Sequence, residues 1–143
     1  RAAGVTCPDG ATFEANREPL VYDCGLWAAS RSHAKEMAEF DYFSHYSMDG
    51  RTPWQRAEEH GTTASGANIA AGRALGLEVL GQLMKSGAHC RSLMDPRLER
   101  LGVGRATRAG SRYGVYWSLM LGRGSSGVDT TCRSPGGLED LSH

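Results

Sequence analysis

Residues 113–121 read Tyr113-Gly114-Val115-Tyr116-Trp117-Ser118-Leu119-Met120-Leu121, and this stretch decides the fold class. Tyr113, Val115, Trp117 and Leu119 fall on one side of an extended chain, and Tyr116 and Met120 on the other. A second strand-like stretch, Leu101 to Ala106, precedes it across an Ala109-Gly110-Ser111 turn, so the two read as a hairpin. Upstream the period changes. Leu26, Ala29, His33, Met37 and Phe40 recur at spacings of three or four, the mark of a helix, with Asp23 placed to cap its start. Asp49-Gly50 is a turn, and Thr52-Pro53 opens a second helix, with Pro at its first position, that runs to about His60 and is closed by Gly61. Residues 62–73, rich in Gly, Ala and Ser, read as a loop or short extended piece, and Leu77, Leu80, Leu83 and Met84 mark a third helix. Helices first and a hairpin last predict an α+β layered domain.

The ends of the chain read differently. Residues 1–18 form an irregular segment, with a turn at Pro8-Asp9-Gly10 and Pro19 closing it off. Residues 123–143 form a Gly- and Ser-rich tail, including Ser134-Pro135-Gly136-Gly137, that is expected to be ordered only where Cys132 anchors it. The body between them is expected to be one domain, residues 19–122, since 143 residues suffice for a single hydrophobic core.

Charge and cysteines bound the function. Sixteen basic and sixteen acidic residues leave no net charge to draw nucleic acid or an anionic membrane. Residues 1–80 carry 7 basic and 11 acidic groups and residues 81–143 carry 9 and 5, the excess being largely Arg91, Arg97, Arg100, Arg105, Arg108 and Arg112. No stacking aromatics interleave these arginines, so they read as a solvated face rather than a nucleic-acid site. Cys7, Cys24, Cys90 and Cys132 contain no C-x-x-C pair, which excludes a zinc ribbon or thioredoxin-type motif. Their even number predicts two disulfides and a secreted, extracellular protein. Three connectivities are open. The favoured one is Cys7–Cys24 with Cys90–Cys132, because each bond would tie an irregular end to the body. No apolar run approaches the ~20 residues of a transmembrane helix, and a start at Arg1 reads as a processed chain.

Five histidines are the candidate functional groups. His143 is terminal; His60 stands at a helix end, where a cation complements the dipole; His33, on the apolar face between Ala29 and Met37, reads as a satisfied core histidine. His45 and His89 differ, because each is expected just after a helix among small residues, in Phe43-Ser44-His45 and Ser86-Gly87-Ala88-His89, where a ring is accessible.

Those two segments belong to a longer ordered pattern. Pro19-Leu20-Val21-Tyr22-Asp23, the apolar positions of the first helix, Phe43-Ser44-His45, Gly50, Pro53 and Arg56 are followed by Gly66-Ala67-Asn68-Ile69-Ala70-Ala71-Gly72. Then come Met84, Ser86, His89, Leu93, Pro96, Gly102-Val103-Gly104, Tyr116-Trp117 and Gly122. Together they resemble the bacterial branch of the CAP superfamily (the SCP domain of cysteine-rich secretory proteins, venom antigens and plant pathogenesis-related class 1 proteins). The resemblance spans residues 19–122. It implies a three-layer α-β-α sandwich with a central antiparallel sheet and an open cleft, and it puts His45, Ala67 and His89 at the cleft positions where the family has His, Glu and His. It further implies zinc or another divalent cation held by His45 and His89, and a lipid, sterol or peptide as ligand.

The departures redirect the reading. Ala67 stands where the family has its carboxylate, Leu83 where it has Trp, and Gly87-Ala88 where it has Pro-Gly. Cys90 replaces a basic residue, as suits a disulfide holding the histidine segment. The family's helix ahead of Pro-Leu, with its N-x-x-R motif, has only Asn16-Arg17 as a remnant, and Cys7 would tether a substitute. Without the acid a complete catalytic set is missing, which favours a metal- or small-ligand-binding module over an enzyme. A metal-dependent hydrolase would need another base, and Glu36, Glu39 and Asp41 are the acids nearest His45 in sequence. A structural module with a vestigial cleft is the remaining alternative.

Overall fold

The computed structural model describes residues 1–132, and the expectations for His143 and Ser134–Gly137 fall outside these residues. The chain runs β1 (Val5–Thr6), β2 (Thr12–Phe13), β3 (Val21–Tyr22), α1 (Cys24–Phe40), α2 (Pro53–Glu59), β4 (Gly66–Ala71), α3 (Gly76–Met84), α4 (Gly87–Met94), β5 (Leu98–Thr107) and β6 (Val115–Arg123). Strands β3, β5, β6 and β4 lie side by side in that order. The sheet is antiparallel except at its short edge, where β3 runs parallel to β5.

Two helical layers cover this sheet, one on each face. On one face, Leu26, Ala29, Ala34, Met37 and Ala38 of α1 pack against Tyr116, Met120 and Ala106. On the other, Val79 and Leu83 of α3 and Leu93 of α4 pack against Ala70, Trp117 and Leu121. Consecutive residues of β6 thus serve opposite cores, as the alternation of residues 113–121 predicts.

The α1 layer sits close to the sheet because β5 carries Gly102 and Gly104. A Cβ at Gly102 would lie 2.2 Å from the backbone of Leu26 and Trp27, and one at Gly104 2.3 Å from Arg31 N. Asp23 caps α1 as expected, accepting from Gly25 N (2.8 Å) and Leu26 N (3.1 Å). It also pairs with Arg100 at 2.6 Å, both side chains being buried. Arg100 is therefore no part of a solvated face. Its guanidinium donates to Thr62, Thr63 and the Arg123 and Gly124 carbonyls. Gly122 leaves the room, since a Cβ there would lie 2.5 Å from the guanidinium carbon. Burial alone would raise the Asp23 pKa, but hydrogen bonds from Thr62, Arg100, Leu26 and Gly25 outweigh it and hold the carboxylate below its ordinary range. Breaking such a buried pair by removing one partner costs about 3–5 kcal/mol.

The disulfides are Cys7–Cys90 and Cys24–Cys132, not the favoured Cys7–Cys24 and Cys90–Cys132. The reason is the layering. Residues 1–18 are not irregular throughout: β1 and β2 pair as a small hairpin whose Val5, Cys7, Ala11 and Phe13 pack on Met84, Cys90 and Met94. Cys7 is thus on the α4 side of the sheet, while Cys24 begins α1 on the other. The tail still anchors through Cys132, but to the start of α1, where Cys24 N also donates to Asp129 O at 2.9 Å.

Residues 66–71 form a full strand, and α4 is a helix that the sequence reading does not contain. Among the described residues, no helix is long and apolar enough to cross a membrane.

Candidate functional site

His45 lies in the connection between α1 and α2, and both helices hold that connection in place. From α2, the buried Arg56 guanidinium donates to the carbonyl of His45 (2.8 Å), to Ser47 Oγ (3.1 Å) and to the carbonyl of Arg51 (3.1 Å). From α1, His33 Nε2 is 2.7 Å from the Ser44 carbonyl, which can only accept, so Nε2 carries the proton. The other ring nitrogen, Nδ1, is buried with no partner among the described residues, so His33 is a core histidine only half satisfied. Burial and the nearby Arg56 and His45 outweigh its Ser44 bond and Glu36, and its pKa drops to about 4. His33 is neutral and structural: it carries the backbone next to the site.

His89 comes shortly after α3, as expected, but it is not a loop residue: it lies in the first turn of α4. That turn is clamped by the N-terminal hairpin. The neighbouring Cys90 bonds Cys7, Arg91 pairs with Asp9, and Gly87 accepts the hairpin so closely that a Cβ would lie 2.9 Å from Asp9. The hairpin is thus a substitute tether, as Cys7 suggests in the sequence. Its signal was the cysteine spacing, while α4 itself is too short to announce a period.

Both rings are half-buried. Burial lowers the pKa of each, and His45 is lowered further by the charge of His89 and by Arg56. Both rings are thus biased towards the neutral imidazole that ligates cations. Ala67, on β4 opposite Met120, carries only a methyl group and no donor. Among the described residues no three His, Cys, Asp or Glu side chains gather as a metal cluster. Of the acids near His45, Glu36 accepts from Tyr42 (2.9 Å) and Met48 N (2.8 Å), and Asp41 accepts from Arg112 N (2.8 Å) and Tyr116 (3.1 Å). Ser44 Oγ accepts from Tyr46 N at 3.1 Å. His60, at the end of α2, bonds the Arg56 carbonyl through Nδ1 (2.9 Å), a structural role as expected.

Residues 14–121 match the cysteine-rich secretory protein family, CAP. The chain belongs to that family. The fold recurs in a crystal structure of an extracellular protein containing an SCP domain from Bacillus anthracis, 26% identical with a TM-score of 0.60, covering 71% of this chain and 33% of that one. The chain thus spans about a third of the Bacillus protein's length. An outer surface protein of Borrelia burgdorferi shares the fold at 20% identity and a TM-score of 0.62, over 74% of this chain and 79% of that one. No curated protein matches the chain.

The CAP match covers His45, Ala67 and His89 alike. Asn68, beside Ala67 in the same pattern, is buried with neither its amide nitrogen nor its oxygen paired among the described residues, which the sequence does not announce.

Proposed function

We propose that this CAP domain is a secreted binding module whose His45–His89 pair takes up a divalent cation of the zinc class. The observations behind the reading are two half-buried rings, both shifted towards the neutral form, whose backbones are fixed by Arg56 at His45 and by the Cys7–Cys90 disulfide beside His89. A closed structural zinc site would need four protein ligands, so two imidazoles suit an open site, completed by water or by a donor from a bound molecule. The residues fit such a cation in kind: nitrogen donors, rigidly backed by Arg56, His33 and the hairpin clamp. A bound cation would supply Lewis acidity, and the chain's own contribution is to hold two donors in place. Hydrolysis is not assigned, because Ala67 has no proton to move and Glu36 and Asp41 are committed to structural bonds. Two disulfides, and the extracellular character of the Bacillus protein, support secretion.

Calorimetric titration with zinc tests the reading on the wild type, His45→Ala and His89→Ala. The expected result is saturable uptake by the wild type, lost in both variants; equal uptake by all three would overturn it. Restoring the acid with Ala67→Glu is expected to tighten binding at least tenfold, since a carboxylate completes a three-ligand set.

A further inference from the structure

Helix α4 has little of its own with which to hold His89. It is eight residues long, opens on Gly87, and its N-cap Ser86 makes no side-chain cap bond. An isolated helix below about 12–15 residues is marginal in water, so its order comes from what packs on it. Towards the sheet it gives Leu93 to the core and Ser92, whose buried Oγ has no hydrogen-bond partner among the described residues. The covalent and polar fastenings come from residues 1–9. Cys7 bonds Cys90, the residue after His89, and Asp9 pairs with Arg91. At the far end of the helix, the Arg1 guanidinium donates to the Leu93 carbonyl (2.8 Å) and the Asp95 carbonyl (3.0 Å).

The fastening segment is a strap laid on the body. Strands β1 and β2 have two residues each, pair with one another and stay outside the four-stranded sheet. The tip is stiff: Cys7 N donates to the Ala11 carbonyl (2.7 Å) and Gly10 N to the Cys7 carbonyl (2.9 Å). Asp9 Oδ1 accepts from Ala11 N (3.1 Å), which leaves Oδ2 for Arg91. A hairpin this short does not stand alone in water. Strap and helix are therefore each ordered by the other, and the disulfide is the strongest join between them, since the Asp9–Arg91 pair is too exposed to add much. Cys7 and Cys90 are 3% and 1% exposed, so the bond lies inside the contact it maintains. The Cys24–Cys132 bond has a different task, holding the tail to the start of α1.

We propose that oxidation of Cys7 and Cys90 licenses the histidine site: His89 is held for a cation only when the strap is bonded to α4. The inference rests on the metal reading of His45 and His89. In the reduced chain both cysteines are thiols. One, as thiolate, attacks an external disulfide to give a mixed disulfide, which the other resolves. The Cys7–Cys90 bond forms, and the two electrons and two protons leave on the external sulfurs as thiols. The chain thus takes up its cation after it reaches an oxidising compartment and not before.

The test compares two double variants, each lacking one disulfide, with the intact chain. Serine stands in for the reduced thiol without a thiolate's own affinity for zinc. Calorimetric zinc titration should show C7S/C90S weakened at least tenfold, the lower end of what loss of an outer support costs a metal site, and C24S/C132S within twofold of the wild type. Hydrogen exchange over residues 86–95 should be faster in C7S/C90S and unchanged in C24S/C132S. Gly87→Ala keeps both disulfides but puts a Cβ 2.9 Å from Asp9, wedging the strap off the helix; it should weaken zinc at least threefold and serves if C7S/C90S does not fold. Zinc affinity unchanged in C7S/C90S or in Gly87→Ala, or lost equally in C24S/C132S, overturns the proposal. A wild type that takes up no zinc overturns the metal reading instead, and the strap is then decided by exchange alone: residues 86–95 equally protected with and without the Cys7–Cys90 bond would overturn that as well.

Discussion

The two faces of the β5–β6 ribbon are built to opposite ends. Towards α1, glycine replaces side chains so that helix and sheet backbones nearly touch, and Leu26, Ala29 and Met37 are fully buried. Towards α3, the helix stands off the sheet, leaving a cavity, and Leu77 is 84% exposed. The difference separates rigidity from capacity. The α1 face is the frame from which His33 and the α2 residue Arg56 hold the His45 loop, and it tolerates no new atom. The α3 face has room for one.

The largest expected effect comes from testing that tolerance directly. Gly102→Ala places a methyl group 2.2 Å from the Leu26 and Trp27 backbone, which has no rotamer to relieve the clash. A loss above about 4 kcal/mol is expected, enough to leave much of the protein unfolded. Gly76→Ala, the matching change on the other face, should be close to neutral because its nearest neighbour is 3.9 Å away. Urea melts of the two variants check the contrast, and similar losses in both would break it.

How much of this was legible in the sequence follows the same division. The alternation of residues 113–121, the Asp23 cap and the Thr52-Pro53 start are local signals, and each specifies its element without reference to the rest of the chain. The capping box at Thr52 and Gln55 is present as such a signal should be. The family pattern brought His45, Ala67 and His89 into one reading that no spacing alone supports. What was not legible is non-local. Disulfide partners depend on which side of the sheet each segment lies, so Cys7 found Cys90 rather than Cys24. Arg100 looked like its neighbours in a charged run, and only the bulge-shifted register of β5 and the room left by Gly122 turn it inward to Asp23. Helix α4, eight residues long, carries too few apolar positions to reveal itself, so His89 read as a loop residue.

A second test asks whether the α1 face is also where acid undermines the fold. His33 has a folded pKa of about 4 against an ordinary 6.5, so the unfolded chain binds the proton more readily between these values. Stability is therefore full above pH 6.5 and falls as pH drops towards 4. Between pH 7 and pH 5 the expected contribution is about 2 kcal/mol. His33→Gln can still donate to the Ser44 carbonyl but does not titrate. Urea melts at the two pH values should show the variant losing about that much less than the wild type. A parallel pH dependence in both would mean that His33 is not the acid-sensitive group, and that the frame behind His45 is indifferent to pH.

The smallest expected effect lies on the open face. Leu77 projects from α3 into solvent, so Leu77→Gln removes little buried area and replaces one good helix former with another. Its melting behaviour should stay within about 0.5 kcal/mol of the wild type, the ordinary range for an exposed site. A larger loss would mean that Leu77 packs on the chain after all, and the open character of this face would then rest on the cavity that Leu75, at the N-cap of α3, and Leu80 line.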